Sequence, residues 1–190
     1  GRIMPTIHEL EMQIYQLQQD LQELRKGAVP ESVEDYTFAS LDGTVQLSEL
    51  FGDKDELVLI HNMGKGCSYC SLWADGFLGF YHHILTRAGF VIVSPDSPDV
   101  QAAFASSRGW PYRMVQDPDS RFSAEMGAYS EEHGYWPLLS TFKKTANGIV
   151  RTGKANLGPL DSFCSIWHIW SVMDGGTKEW HPSGWNGAPE

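Results

Sequence analysis

Cys67-Ser68-Tyr69-Cys70 lies between an apolar run, Leu57-Val58-Leu59-Ile60, and an amphipathic stretch from Leu72 to Leu85. That order constrains the fold more than any other part of the chain. It reads as a strand ending at a dithiol that opens a helix. At a helix N-terminus, unpaired backbone N–H groups and the positive end of the macrodipole favour a thiolate. A second thiol one turn further on is placed to attack a mixed disulfide. Cys67 is therefore the candidate nucleophile and Cys70 the candidate resolving thiol. A bare C-x-x-C carries little; its position between strand and helix is what points to thiol–disulfide exchange.

The rest of the composition narrows the class. A chain of 190 residues, 42% hydrophobic and 20% charged, fits one domain with a full core and an appendage. Its net charge of −10 argues against nucleic acid or an anionic membrane surface as a partner. No apolar run approaches the roughly 20 residues of a membrane span, and the N-terminus reads as polar and helical rather than as a secretory leader. Three cysteines are too few for a disulfide framework. A redox-type pair with one extra thiol fits a reducing, cytoplasmic compartment.

Along the chain, Thr6-Ile7-His8-Glu9 has the form of a capping box, and Ile7, Leu10, Ile14, Leu17, Leu21 and Leu24 follow in steps of three and four. This is a strict heptad seam closed by Gly27 and Pro30, narrower than the stripe of a helix docked on a globule. It predicts a homodimer formed through residues 6–26, by a coiled coil or a helix swap. Tyr36–Ala39, Phe90–Val93, Tyr112–Val115 and Leu138–Phe142 read as strands. Ala146-Asn147-Gly148 marks a hairpin into Ile149-Val150-Arg151. Short helices are expected at Leu47–Phe51, from Pro98 towards Gly109, after Asp117-Pro118-Asp119 and over Ser162–Val172. The pattern predicts an α/β domain over 31–173 with a mostly parallel sheet and an antiparallel edge, preceded by the helix in 1–30 and followed by a Trp-, Gly- and Pro-rich tail, 174–190.

Three segments together resemble the thioredoxin-like superfamily. Asp42-Gly43, Leu47 and Leu50-Phe51-Gly52, leading into the strand and the dithiol, resemble the entry to a peroxiredoxin-related or a ResA/TlpA-type domain. Val91 to Ser97, Phe104, and Gln116 to Gly127 are similar to the middle of the alkyl-hydroperoxide-reductase/thiol-specific-antioxidant group. Tyr135 to Phe142 with Asn147-Gly148 resembles the stretch where thioredoxins carry a cis-proline before a hairpin. The runs Leu59–Met63 and Gly66–Asp75 resemble most closely an uncharacterised bacterial family of thioredoxin-like proteins. The resemblance implies a central mixed sheet flanked by helices, with the heptad helix added in front. It also implies that Pro137 is a cis-proline facing the cysteines, with Trp136 and Tyr69 helping to dock substrate. His61 stands at the offset where thioredoxins carry a buried Asp, which implies a proton-accepting role behind the resolving thiol. Ser68-Tyr69 departs from the Gly-Pro of thioredoxins, which leaves the reduction potential unassigned.

The expected activity is thiol–disulfide exchange on a disulfide-bearing protein or a small thiol substrate, without a cofactor or a metal. A peroxiredoxin-like peroxidase is the first competitor. Its Pro-x-x-x-Thr/Ser-x-x-Cys loop is missing before Cys67, and no Arg lies near Pro137. Zinc held by Cys67, Cys70, Cys164 and a histidine is the second, but the adjacent His82 and His83 point to different faces of a helix. The third is a non-catalytic scaffold, with Trp180 and Trp185 as contact residues or a lid near the dithiol, and Trp167 and Trp170 in the core.

Overall fold

The computed structural model describes residues 4–183. Helix α1 (Ile7–Lys26) comes first, and its capping box forms as expected: Thr6 accepts from the Glu9 N–H, and the Glu9 carboxylate accepts from the Thr6 N–H. The sheet then assembles from β1 (Glu31–Val33), β2 (Thr37–Ser40), β3 (Gly43–Gln46), β4 (Glu56–His61), β5 (Gly89–Ser94), β6 (Arg113–Gln116), β9 (Leu138–Thr145) and β10 (Gly148–Asn156). A small separate hairpin joins β7 (Tyr129–Ser130) and β8 (Gly134–Tyr135). The helices are α2 (Leu47–Leu50), α3 (Ser68–Phe77), α4 (Tyr81–Leu85), α5 (Pro98–Arg108), α6 (Arg121–Glu125) and α7 (Ile166–Ser171).

The strand order is β1-β10-β9-β4-β5-β6-β2-β3. Only β4–β5 and β5–β6 pair in parallel; every other pairing in this sheet is antiparallel. The sheet is mixed, as the resemblance implied, and the expectation of a mostly parallel sheet is corrected. The Asn147-Gly148 turn is too short for a crossover, so β9 and β10 must run antiparallel, and β9 then seats itself beside β4 at the centre.

All six residues of β5 are buried, so both faces of the sheet are covered. Side-chain alternation divides the interior in two. Leu57, Leu59, Val91, Val93 and Phe142 pack with Phe122 and Leu47 on one face. Ile60, Phe90 and Ile92 pack with Trp73, Phe77 and Trp167 on the other.

Two helices differ from the sequence pattern. The stretch Leu72–Leu85 breaks between α3 and α4, where Gly76 and Gly79 weaken the helix and tight turns close at Leu78 and Phe80. α7 starts at Ile166 rather than Ser162, because the Asp161 carboxylate takes the N–H groups of Gly158, Phe163 and Cys164 in a local turn. Among the described residues no helix is long and apolar enough to cross a membrane.

Candidate dithiol site

β4 delivers the chain to the loop 62–66, and Cys67 is the N-cap of α3, its backbone still extended. The loop is held at several points. Asn62 N–H bonds Val93 O of the neighbouring parallel strand at 2.8 Å, and the Asn62 side chain accepts from Gly64 N–H at 2.8 Å. Asp96, just beyond β5, accepts from Lys65 N–H at 2.7 Å. Gly64 has φ +101°, and a Cβ there would stand 2.9 Å from the Asp96 carboxylate, so the turn requires glycine. Cys67 N–H then bonds Gly64 O at 3.0 Å.

Cys67 Sγ accepts from Cys70 N–H at 3.1 Å, as a capping group does, and stands 3.9 Å from Met63 Sδ. Cys67 is half-buried, whereas Cys70 is 2% exposed and accepts from Met63 N–H at 3.3 Å. The two thiols therefore differ sharply. The Cys70 thiol, followed by the N–H groups of Cys70 and Tyr69, stabilises charge on Cys67 and lowers its pKa to about 7 against the opposing effect of burial. The neighbouring Cys67 sulfur, followed by burial, holds Cys70 protonated, far above the ordinary thiol range. Cys67 is therefore the thiol favoured as a thiolate, and Cys70 the one kept protonated.

α3 is locked in place from its C-terminal half. Asp75 accepts from Arg108 Nη2 at 2.5 Å and from Trp110 Nε1 at 2.8 Å, and Tyr112 donates to Ala74 O at 2.6 Å. Arg108 is almost wholly buried in this arrangement. Cys164 lies in the same apolar cluster as Cys70, and burial raises its thiol pKa. No group of three or more His, Cys, Asp or Glu residues able to hold a metal ion occurs among the described residues.

The other predicted residues have different surroundings. His61 does not join the cysteines. Its ring stacks on Phe122 at 5.5 Å, and Nε2 shares a 2.9 Å hydrogen bond with Ser140 Oγ, which also accepts from Arg151 Nη2 at 2.9 Å. The reason is strand parity: Ile60 turns towards Trp73 and Cys70, so its neighbour His61 turns to the other face of the sheet. Burial, with Arg151 adding to it, lowers the His61 pKa to about 3, so the ring is neutral.

No peptide bond among the described residues is cis, which corrects the cis-proline expectation at Trp136–Pro137. The register of Leu138 with His61 does bring Pro137 to the dithiol end of the sheet. Trp136 N–H is already bonded to Ala128 O at 3.1 Å, and Pro137 O to Leu157 N–H at 3.4 Å, so both backbone groups are engaged within the chain. The Tyr69 ring is also engaged, stacked on Trp167 at 6.1 Å and tilted against Trp73 at 6.3 Å. Trp180 extends that aromatic cluster onto Trp167 and Trp170, while Trp185 lies outside the described residues.

Asp96, Met63, Ser140 and Arg151 were missed by sequence reasoning. For Asp96 a signal existed. Ser94-Pro95-Asp96 leaves a buried strand that is next in the chain and parallel to β4, so its exit loop must lie beside the dithiol loop. Ser140 and Arg151 gave none, because their contact depends on the register of β9 with β10.

The chain matches, over residues 6–186, the family described as "Bacterial protein of unknown function (DUF899)", and it belongs to that family. No curated protein matches it. Among solved structures it is similar to peroxidoxin BcpB from Mycobacterium tuberculosis, with a TM-score of 0.58 and 20% identity, over 67% of this chain and 84% of that one. It is also similar to a peroxiredoxin Q mutant from Xanthomonas campestris, with a TM-score of 0.55 and 15% identity, over 64% and 80% of the two chains. Reduced Prx3 in complex with hydrogen peroxide from Vibrio vulnificus gives a TM-score of 0.54 and 19% identity, over 70% and 87%. At these identities the likeness establishes the fold alone, which is thioredoxin-like.

Proposed function

We propose that this member of a bacterial family of unknown function is a dithiol oxidoreductase that exchanges electrons with disulfides through Cys67 and Cys70. The observation that carries the reading is the Cys67 sulfur at the N-cap of α3, stabilised as a thiolate by the Cys70 thiol and N–H. Cys67 attacks one sulfur of a substrate disulfide, forming a mixed disulfide and expelling a thiolate. Cys70 then attacks the Cys67 sulfur, the second substrate thiolate leaves, and the pair ends as Cys67–Cys70 disulfide. The substrate gains two electrons and the protein loses two. His61 is on the wrong face to take the Cys70 proton, so the first expelled thiolate is the acceptor we assign.

A peroxidase on the same fold would need donors aimed at the peroxide oxygens. Arg151, the strand arginine, is instead bonded to Ser140 on the face opposite Cys70. Rapid reaction of Cys67 with hydrogen peroxide is therefore not expected, and stopped-flow measurement distinguishes the two chemistries. Equilibration in glutathione redox buffers, followed by alkylation and mass measurement, tests the main reading. Two thiols should become unreactive together along one titration. Independent oxidation of the two cysteines, or none across the range, would remove the oxidoreductase.

A further inference from the structure

α1 is a capped helix of 20 residues, about 30 Å long at 1.5 Å per residue, and none of its residues is buried. Its apolar seam is bare, from 44% exposure at Leu10 and Leu21 to 78% at Ile7. A continuous apolar stripe of this length on a surface marks an interface. We propose that two copies of the chain pair through α1 as a parallel two-stranded coiled coil, with Ile7, Ile14 and Leu21 at the a positions and Leu10, Leu17 and Leu24 at the d positions.

Three features choose this occupant and this orientation. Ile at the first two a positions with Leu at every d position is the combination that favours two parallel strands. In the parallel register Asp20, at g, faces Arg25, at e, of the second copy. In the antiparallel arrangement g faces g and e faces e, and Asp20 loses that partner. Parallel pairing also leaves both α1 C-termini at one end, where residues 27–30 lead each chain into β1, an edge strand of its own sheet.

The competing occupant is an apolar trough beside α4, where two open cavities of about 710 and 730 Å³ share Val58, Phe80, Ile84 and Thr141. Arg25 and Lys26 stand at its mouth. A helix lying in that trough needs an apolar face wider than an a/d seam. On α1 the flanking e and g positions are Glu11, Gln18, Arg25, Gln13 and Asp20, which suit a second helix instead.

Sedimentation of the full chain and its variants tests the proposal. The wild-type protein should sediment as two chains and Leu17→Asp as one, with its circular dichroism outside the helical loss and its Cys67 alkylation rate unchanged. Arg25→Asp removes both symmetry-related pairs and should weaken the dimer about two- to thirtyfold, as exposed ion pairs do, and Asp20→Arg added to it should restore the affinity. A monomeric wild type at about 100 µM, or a dimer that survives Leu17→Asp, overturns the pairing. So does a folded Phe80→Asp variant that loses the dimer, since Phe80 is 43% exposed in the trough and is not part of α1's seam. Failure of the charge swap to restore affinity overturns the parallel register. None of these outcomes bears on the dithiol chemistry.

Discussion

The two faces of β4 carry polar groups of opposite kinds. On the Ile60 side, Cys70 is a buried thiol beside half-buried Cys67 at the mouth of a helix. On the His61 side, Ser140 ties a neutral imidazole to a buried guanidinium, and both His61 Nδ1 and Arg151 Nε lack partners among the described residues. One face reaches the surface through a half-buried sulfur; the other is closed. A group adjacent in sequence to a reactive strand end can thus be remote from its chemistry, because successive side chains leave a strand in opposite directions. The proposed exchange chemistry belongs to one face, and the polar contacts of the other serve stability.

The largest effect expected is on the reactive face. Cys67→Ser should lower disulfide exchange by about a thousandfold or more, since it removes the proposed nucleophile, while the urea midpoint stays close to wild type. Residual exchange near the wild-type rate, carried by Cys70 or Cys164, would break the assignment. Next comes Ser140→Ala on the closed face. It strands the imidazole and the guanidinium, already short of partners, and should cost about 2–4 kcal/mol in denaturant unfolding. The pH dependence of Cys67 alkylation should not move. A shift in that profile would show that the two faces communicate across β4.

Acid sharpens the contrast. The folded-state pKa of His61 is about 3, depressed by burial from an ordinary 6.5. A base with a depressed folded pKa contributes its full stability above the unfolded value. As pH falls from 6.5 towards 3 the unfolded chain takes up a proton that the folded chain refuses. Stability should then fall by about 1.4 kcal/mol per pH unit from this group. Urea unfolding at several pH values, compared with His61→Leu, isolates the slope; an unchanged slope in the variant would refute the assignment.

Most elements were legible from the chain, and the exceptions have local causes. The dithiol helix, the Asn147-Gly148 hairpin and the α1 cap are encoded within a few residues, by capping and turn chemistry that needs no tertiary partner. The seating of β9 beside β4 and the β7–β8 hairpin depend on pairings between distant segments, which periodicity does not report. The same limit governs the site. Cys67 and Cys70 are three residues apart and were read directly, whereas His61 was assigned by counting along the chain. The strand and loop before Cys67 here include the glycine turn at Gly64, and the parity at the end of β4 sends the ring away.

The smallest effect separates two roles of Cys70. The Cys70 thiol is the largest of the influences holding the Cys67 pKa near 7. A hydroxyl can stand in for it and a methyl cannot. Cys70→Ser should therefore keep the midpoint of iodoacetamide alkylation near pH 7, while Cys70→Ala should move it upward, with the backbone N–H groups of Cys70 and Tyr69 limiting the rise. Both variants should accumulate a mixed disulfide, because neither can resolve it. If alanine and serine give the same midpoint, the helix end alone sets the thiolate, and the buried thiol serves only to release the product.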